Sequence, residues 1–156
     1  MPEDSVSDTT RERLLLEMGK SEYLSQEGTN KELSVKAGSV LLFMIAISGM
    51  VLSFVDQPHP KSVAVIAIFP IVGSFFSFLV VVPRNWRRPF DLKCVSETIH
   101  EYDLKTITRT LGEDYMNTVA KNRLILNEKV NYLSCLLYLS VFFSVCVVLF
   151  IVNQAF

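Results

Sequence analysis

The residues able to do chemistry in this 156-residue chain are few and scattered. Catalysis needs a nucleophile beside a base, a paired acid and base, or a metal site. The chain carries no CxxC, HExxH, GxSxG or P-loop pattern. Its two histidines are His59 and His100. His59 sits in the turn Asp56–Lys61, where it could sense pH or simply be solvated. Glu97, His100 and Glu101 would share one helical face and could hold a metal, although such a trio in a charged helix is ordinarily solvated. The cysteines Cys94, Cys135 and Cys146 have neither zinc-site nor disulfide-framework spacing and read as small apolar fillers. The expectation is a protein that is not an enzyme and carries no catalytic residues, metal or cofactor.

The remaining polar residues of interest are basic and border apolar runs. Lys36, Arg84, Arg87, Arg88 and Lys129 fall where a chain would meet lipid headgroups. The runs themselves are Leu33–Val55, Ser62–Val82 and Leu133–Val152. After Lys36 no charge occurs until Asp56. At about 1.5 Å per residue, each run is long enough as a helix to cross a hydrocarbon core of about 30 Å. Half the residues are hydrophobic and the mean hydropathy is +0.35. A soluble domain would spread such residues into amphipathic stripes, and here they gather in three blocks. The expected fold is an all-α membrane protein with three transmembrane helices, a small cytoplasmic helical region, and a long final helix continuous with the third span.

The net charge is −1, from 15 basic and 16 acidic residues, which gives no case for binding a nucleic acid polymer. Beyond Lys36 at the entry of the first run, no charged residue lies within the runs, which counts against proton or substrate transport. Three spans enclose little space, so the lipid bilayer and further copies of the chain are the expected partners.

Along the chain, residues 1–32 read as a cytoplasmic tail. Met1–Thr10 is acidic and disordered in this reading. Arg11–Leu24 forms a short amphipathic helix, weakened at Gly19 and broken by Gln26–Asn30. The N-terminus lacks the pattern of a cleavable signal peptide. Residues 33–82 form a helical hairpin, with Pro70 expected to kink its second member. Residues 83–132 are a cytoplasmic link. Leu92, Val95 and Ile99, then Leu104, Ile107 and Leu111, predict two short helices ended by Gly112. From Glu113 a long helix runs into the third span, and 133–156 hold that span and a short outer tail. Trp86 among Arg84, Arg87 and Arg88 fixes that end in the cytoplasm, with the N-terminus inside and the C-terminus outside. Three pairs of small residues four apart suit close helix packing: Gly49 with Ser53, Gly73 with Ser77, and Ser140 with Ser144.

The segment VKAGSVLLFMIAISG, Val35–Gly49, resembles the entry to the first span of the small membrane effectors of bacterial cyclic-pyrimidine (Pycsar-type) anti-phage systems. Those begin with Asp/Asn-x-Lys-Ala-Gly and continue through a second span, a helical link and a long last helix. Glu113–Phe142, with Asn122 and Lys129, is similar to that last helix. The likeness covers Arg11 to Val152. It departs at Ser34-Val35, where the polar or acidic residue is missing or displaced, and at Asp91–Gly112, which follows no pattern of the family. The resemblance implies a protein of the cell inner membrane that senses a cyclic nucleotide or phage-derived trigger, oligomerises and compromises that membrane. It also implies that Lys36, Arg84, Arg87, Arg88 and Lys129 could touch the nucleotide as well as headgroups. The alternative is a structural or regulatory subunit that binds a partner membrane protein.

Overall fold

A computed structural model describes residues 3–53, 60–82, 84–89 and 103–155. Helix α1 spans Glu3–Ser53, α2 Pro60–Val81 and α3 Leu104–Ala155. No strand occurs among the described residues. The chain divides into two compact units. One comprises Met1–Asn30 with Pro83–Leu126, the other Lys31–Val82 with Asn127–Phe156.

The tail is not a disordered stretch followed by a broken helix. It is helical from Glu3 and passes through Gly19 and Gln26–Asn30 without interruption. A helical glycine costs only about 1 kcal/mol against alanine, and Gly19 offsets that cost by allowing close contact. A Cβ at Gly19 would lie 2.8 Å from the Tyr115 Cβ. Gly112 likewise does not end a helix. It lies inside α3, where an added Cβ would be 3.5 Å from the Leu16 backbone nitrogen. Both glycines thus serve helix apposition in the first unit. Contacts of Leu16 with Gly112, Gly19 with Tyr115 and Glu22 with Arg123 advance together, so α1 and α3 run parallel there.

The buried positions follow an alternation of three- and four-residue steps. On α3 they include Val119, Asn122, Leu126, Lys129, Leu133, Leu136, Ser140, Phe143 and Val147. On α1, Glu12, Gly19, Gln26 and Leu33 recur every seventh residue. That is the 3.5-residue period of a coiled-coil seam. In the first unit the seam is largely polar. In the second it is apolar with small residues, and α2 contributes Ile66, Gly73, Ser77 and Val80. There a Cβ on Gly73 would meet Met44 Sδ at 3.1 Å and Leu136 Cδ1 at 3.5 Å. Phe69 packs on Phe142 and Phe143, with ring centroids 5.9 and 5.2 Å apart.

Pro70 lies inside α2, and Ser74 Oγ donates to its carbonyl at 2.7 Å. Thr10–Ser53 and Leu104–Val152 each contain a window long and apolar enough to cross a membrane. The described apolar part of α2, Ile66–Val81, is shorter.

Candidate functional site

In the first unit the third and fourth turns of α1 and the first three turns of α3 border a cleft of about 390 Å³, lined by Arg11, Glu12, Leu15, Lys105, Arg109 and Glu113. The heptad phase of α1 turns Glu12 inward while Arg11 stays exposed. Glu12 is only 7% exposed, and its Oε2 is buried without a hydrogen-bond partner. Leaving such an oxygen unpaired costs about 1–3 kcal/mol. Arg109 Nε donates to Glu113 Oε1 at 3.0 Å across one helical turn. Three cationic side chains thus line the cleft, Arg109 among them paired with Glu113, and Glu12 is buried beside it.

Further along the same unit, polar side chains replace core hydrophobes. Gln26 Nε2 donates to the Val119 carbonyl at 3.2 Å, and its Oε1 is buried without a partner. Tyr23 and Tyr115 meet edge to face at 6.1 Å. Asn122 is fully buried and holds both backbone groups of Arg87. It accepts from the Arg87 N–H at 3.1 Å and donates to the Arg87 carbonyl at 3.0 Å. Trp86 N–H also bonds the Arg84 carbonyl. The arginine segment is thereby fixed in place, with the Arg87 and Arg88 side chains exposed and Arg84 half-buried.

In the second unit Lys36 is exposed and pairs with Glu32 at 2.6 Å. The hydrogen bond from Lys36, reinforced by its charge, holds the Glu32 carboxyl below its ordinary range. Lys129 is 2% exposed and occupies the seam between Leu126 and Leu133. A headgroup or ligand could reach it only if its side chain left that seam. The small-residue pairs differ in setting. Gly73, Ser77 and Ser140 are buried, and Ser144 is half-buried. Gly49 and Ser53 are exposed, and nothing within 4 Å would oppose a Cβ at Gly49.

No family model, curated protein or solved structure matches the chain.

His59, Cys94, Glu97, His100 and Glu101 fall outside the described residues. Among the described residues no three metal-ligating side chains come together. Cys135 and Cys146 are free thiols, the first exposed and the second half-buried. Nothing in the sequence singled out Glu12 and Gln26 as buried, and Asn122, named there only within the last-helix resemblance, was not foreseen as the partner of Arg87. The one signal for Glu12 and Gln26 is the seven-residue spacing of Glu12, Gly19, Gln26 and Leu33, which a search for apolar periodicity passes over.

Proposed function

We propose that the chain is a multi-pass effector of the cell inner membrane that oligomerises and impairs membrane integrity on a cyclic-nucleotide or phage-linked trigger. On this reading all three helices cross the bilayer, with the N-terminus cytoplasmic and the C-terminus outside. The observation that carries the membrane part is the inverted surface of the second unit. Leu42, Phe43, Met50, Phe75, Phe78, Phe142 and Leu149 are exposed while Ser48, Ser77, Lys129 and Ser140 are buried. Only 22% of each apolar window is buried, whereas the core helix of a soluble protein would be mostly buried. An apolar exterior of this extent suits lipid. The exposed Lys36, Arg87 and Arg88 would lie at the cytoplasmic surface, available to headgroups or to the trigger. The trigger and the damage rest on the resemblance described above.

Expression in a bacterial host carrying a pyrimidine cyclase, with a potential-sensitive dye as readout, tests the proposal. Cyclase-dependent depolarisation is the expected result. Normal potential across cyclase and phage conditions would count decisively against it. One observation favours the second reading, a regulatory subunit without a pore. The hydroxyls of Ser48, Ser140 and Ser144 donate to Met44, Leu137 and Ser140 carbonyls of their own helices at 2.8–2.9 Å. They are already spent on the helix, as membrane serines commonly are. Recovery of one stoichiometric membrane partner in detergent, without depolarisation, would support that reading.

A further inference from the structure

We propose that residues 84–89, held by Asn122, are a docking site for the phosphodiester headgroup of an anionic phospholipid, with Arg87, Arg88 and Lys121 as its cations. The inference rests on the membrane part of the reading above and does not need the trigger. Residues 84–89 belong to no helix or strand, yet they are fixed. The Asn122 side chain is fully buried and bonds through both its oxygen and its nitrogen to the Arg87 backbone, 35 residues away. That amide orders a short coil and leaves the side chains on it free to act. Arg87 and Arg88 stay exposed, as does Lys121, the residue before Asn122 on α3. Among the described residues no carboxylate pairs with these three cations. Arg123, on the other side of Asn122, is by contrast paired with Glu22 at 3.7 Å.

Three uncompensated cations around a buried anchor suit an anion. Guanidinium groups take phosphate oxygens in paired, charge-assisted hydrogen bonds, and a backbone fixed in advance lowers the ordering cost of binding. The place of the segment in the chain selects lipid as the source of the phosphate. Arg84 is the third residue after Val81, the end of α2. Where α2 crosses the bilayer, the segment meets the headgroup layer. Trp86, the one tryptophan of the chain, is half-buried within it, and an indole favours that layer. Basic clusters bordering a span attract acidic lipids.

Trp86 also reports on the site, because bromine on a lipid chain quenches an indole only at short range. The full chain is reconstituted in dioleoylphosphatidylcholine vesicles with a minor fraction of brominated phosphatidylglycerol or brominated phosphatidylcholine. Quenching of Trp86 gives the relative affinity of the two, and phosphatidylglycerol should bind about tenfold more tightly. Arg87→Gln with Arg88→Gln keeps the backbone bonds to Asn122 and should bring the ratio near one. Asn122→Ala keeps all three cations and should lower the ratio several-fold while circular dichroism shows the helices intact. Arg13→Gln with Lys20→Gln removes two other exposed cations of the same unit and should leave the ratio unchanged. Sodium phosphate at about 10 mM, against sodium chloride of equal ionic strength, should not displace the lipid. Equal quenching by the two lipids overturns this inference and leaves the membrane reading standing. Absence of quenching by either overturns both. The inference also fails if the paired arginine variant or Asn122→Ala keeps the preference. It fails equally if the Arg13 and Lys20 variant loses that preference, or if free phosphate abolishes it.

Discussion

The Asn122 side chain and the Arg87 backbone form a closed two-bond pair, with Oδ1 accepting at 3.1 Å and Nδ2 donating at 3.0 Å. A buried amide is suited to this task because it carries a donor and an acceptor side by side. Asn122→Ala removes both and strands two loop backbone groups. The expected loss is about 1–3 kcal/mol of unfolding free energy. Asn122→Asp keeps the acceptor but loses the donor at neutral pH, and buries a charge. Its destabilisation should shrink at about pH 4, where the carboxyl regains a proton to donate. Denaturant midpoints in detergent at both pH values check this. Equal losses for Asn122→Asp at the two pH values would show that the amide donor does not hold the arginine segment.

The glycines of α1 and α2 differ in what surrounds them, and alanine substitutions should separate accordingly. At Gly19 the obstacle is the Tyr115 Cβ at 2.8 Å, an atom tied directly to the backbone. At Gly73 it is the end of the flexible Met44 side chain at 3.1 Å. At Gly28 there is nothing within 4 Å. Gly19→Ala should cost about 1–3 kcal/mol through overpacking. Gly28→Ala should instead gain about 0.5–1 kcal/mol from the better helix propensity of alanine. Gly73→Ala should fall between them. Thermal midpoints ordered otherwise would contradict the close approach of α1 to α3 at Gly19.

The same residues explain what could be read in the sequence. The apolar runs were plain because leucine, valine and phenylalanine crowd Leu33–Val55 and Leu133–Val152, and two of the described helices do carry membrane-length apolar windows. The long last helix was also legible, since no strong breaker interrupts it after Glu113. The early halves of α1 and α3 were not. Their inward positions include Glu12, Gly19, Gln26, Gly112, Thr118 and Asn122, with Val119 the apolar one among them, so buried hydrophobes form no continuous stripe there. In sequence Gly19 carries only the mark of a helix breaker, because its role at a helix contact depends on the facing residue, Tyr115, distant in sequence. Polar side chains in a seam reveal themselves only once their partners are placed, as Gln26 with the Val119 carbonyl illustrates.

The Glu32–Lys36 pair predicts a pH dependence of defined sign. The Glu32 carboxyl is held below its usual value of 4.5 by the Lys36 hydrogen bond and charge. A carboxyl with a depressed folded-state pKa stabilises the fold above its unfolded pKa, and that contribution is lost as pH falls through the folded value. Carbon-detected NMR titration of Glu32 should give a midpoint below that of the Lys36→Met variant. Both side chains are exposed, so added salt should narrow the difference. Coincident midpoints at low salt would mean that the pair does not form in solution.

Gly49 provides the cleanest test of self-association. It is exposed, with open space where a side chain would go, so a larger residue meets nothing within the chain. Ser53 lies one turn on, and its hydroxyl is bonded to the Met50 carbonyl at 2.8 Å. If copies of the chain pack through this face, the absence of a side chain at Gly49 permits close backbone approach. Gly49→Leu should then lower crosslinking yield in membranes several-fold while the thermal midpoint of the chain stays the same or rises slightly. Gly73→Leu should lower the midpoint as well, because Met44 and Leu136 already occupy its surroundings. Leu52→Ala serves as the control and should change crosslinking less than either glycine variant. Equal crosslinking in all three would remove this face from any assembly the protein makes.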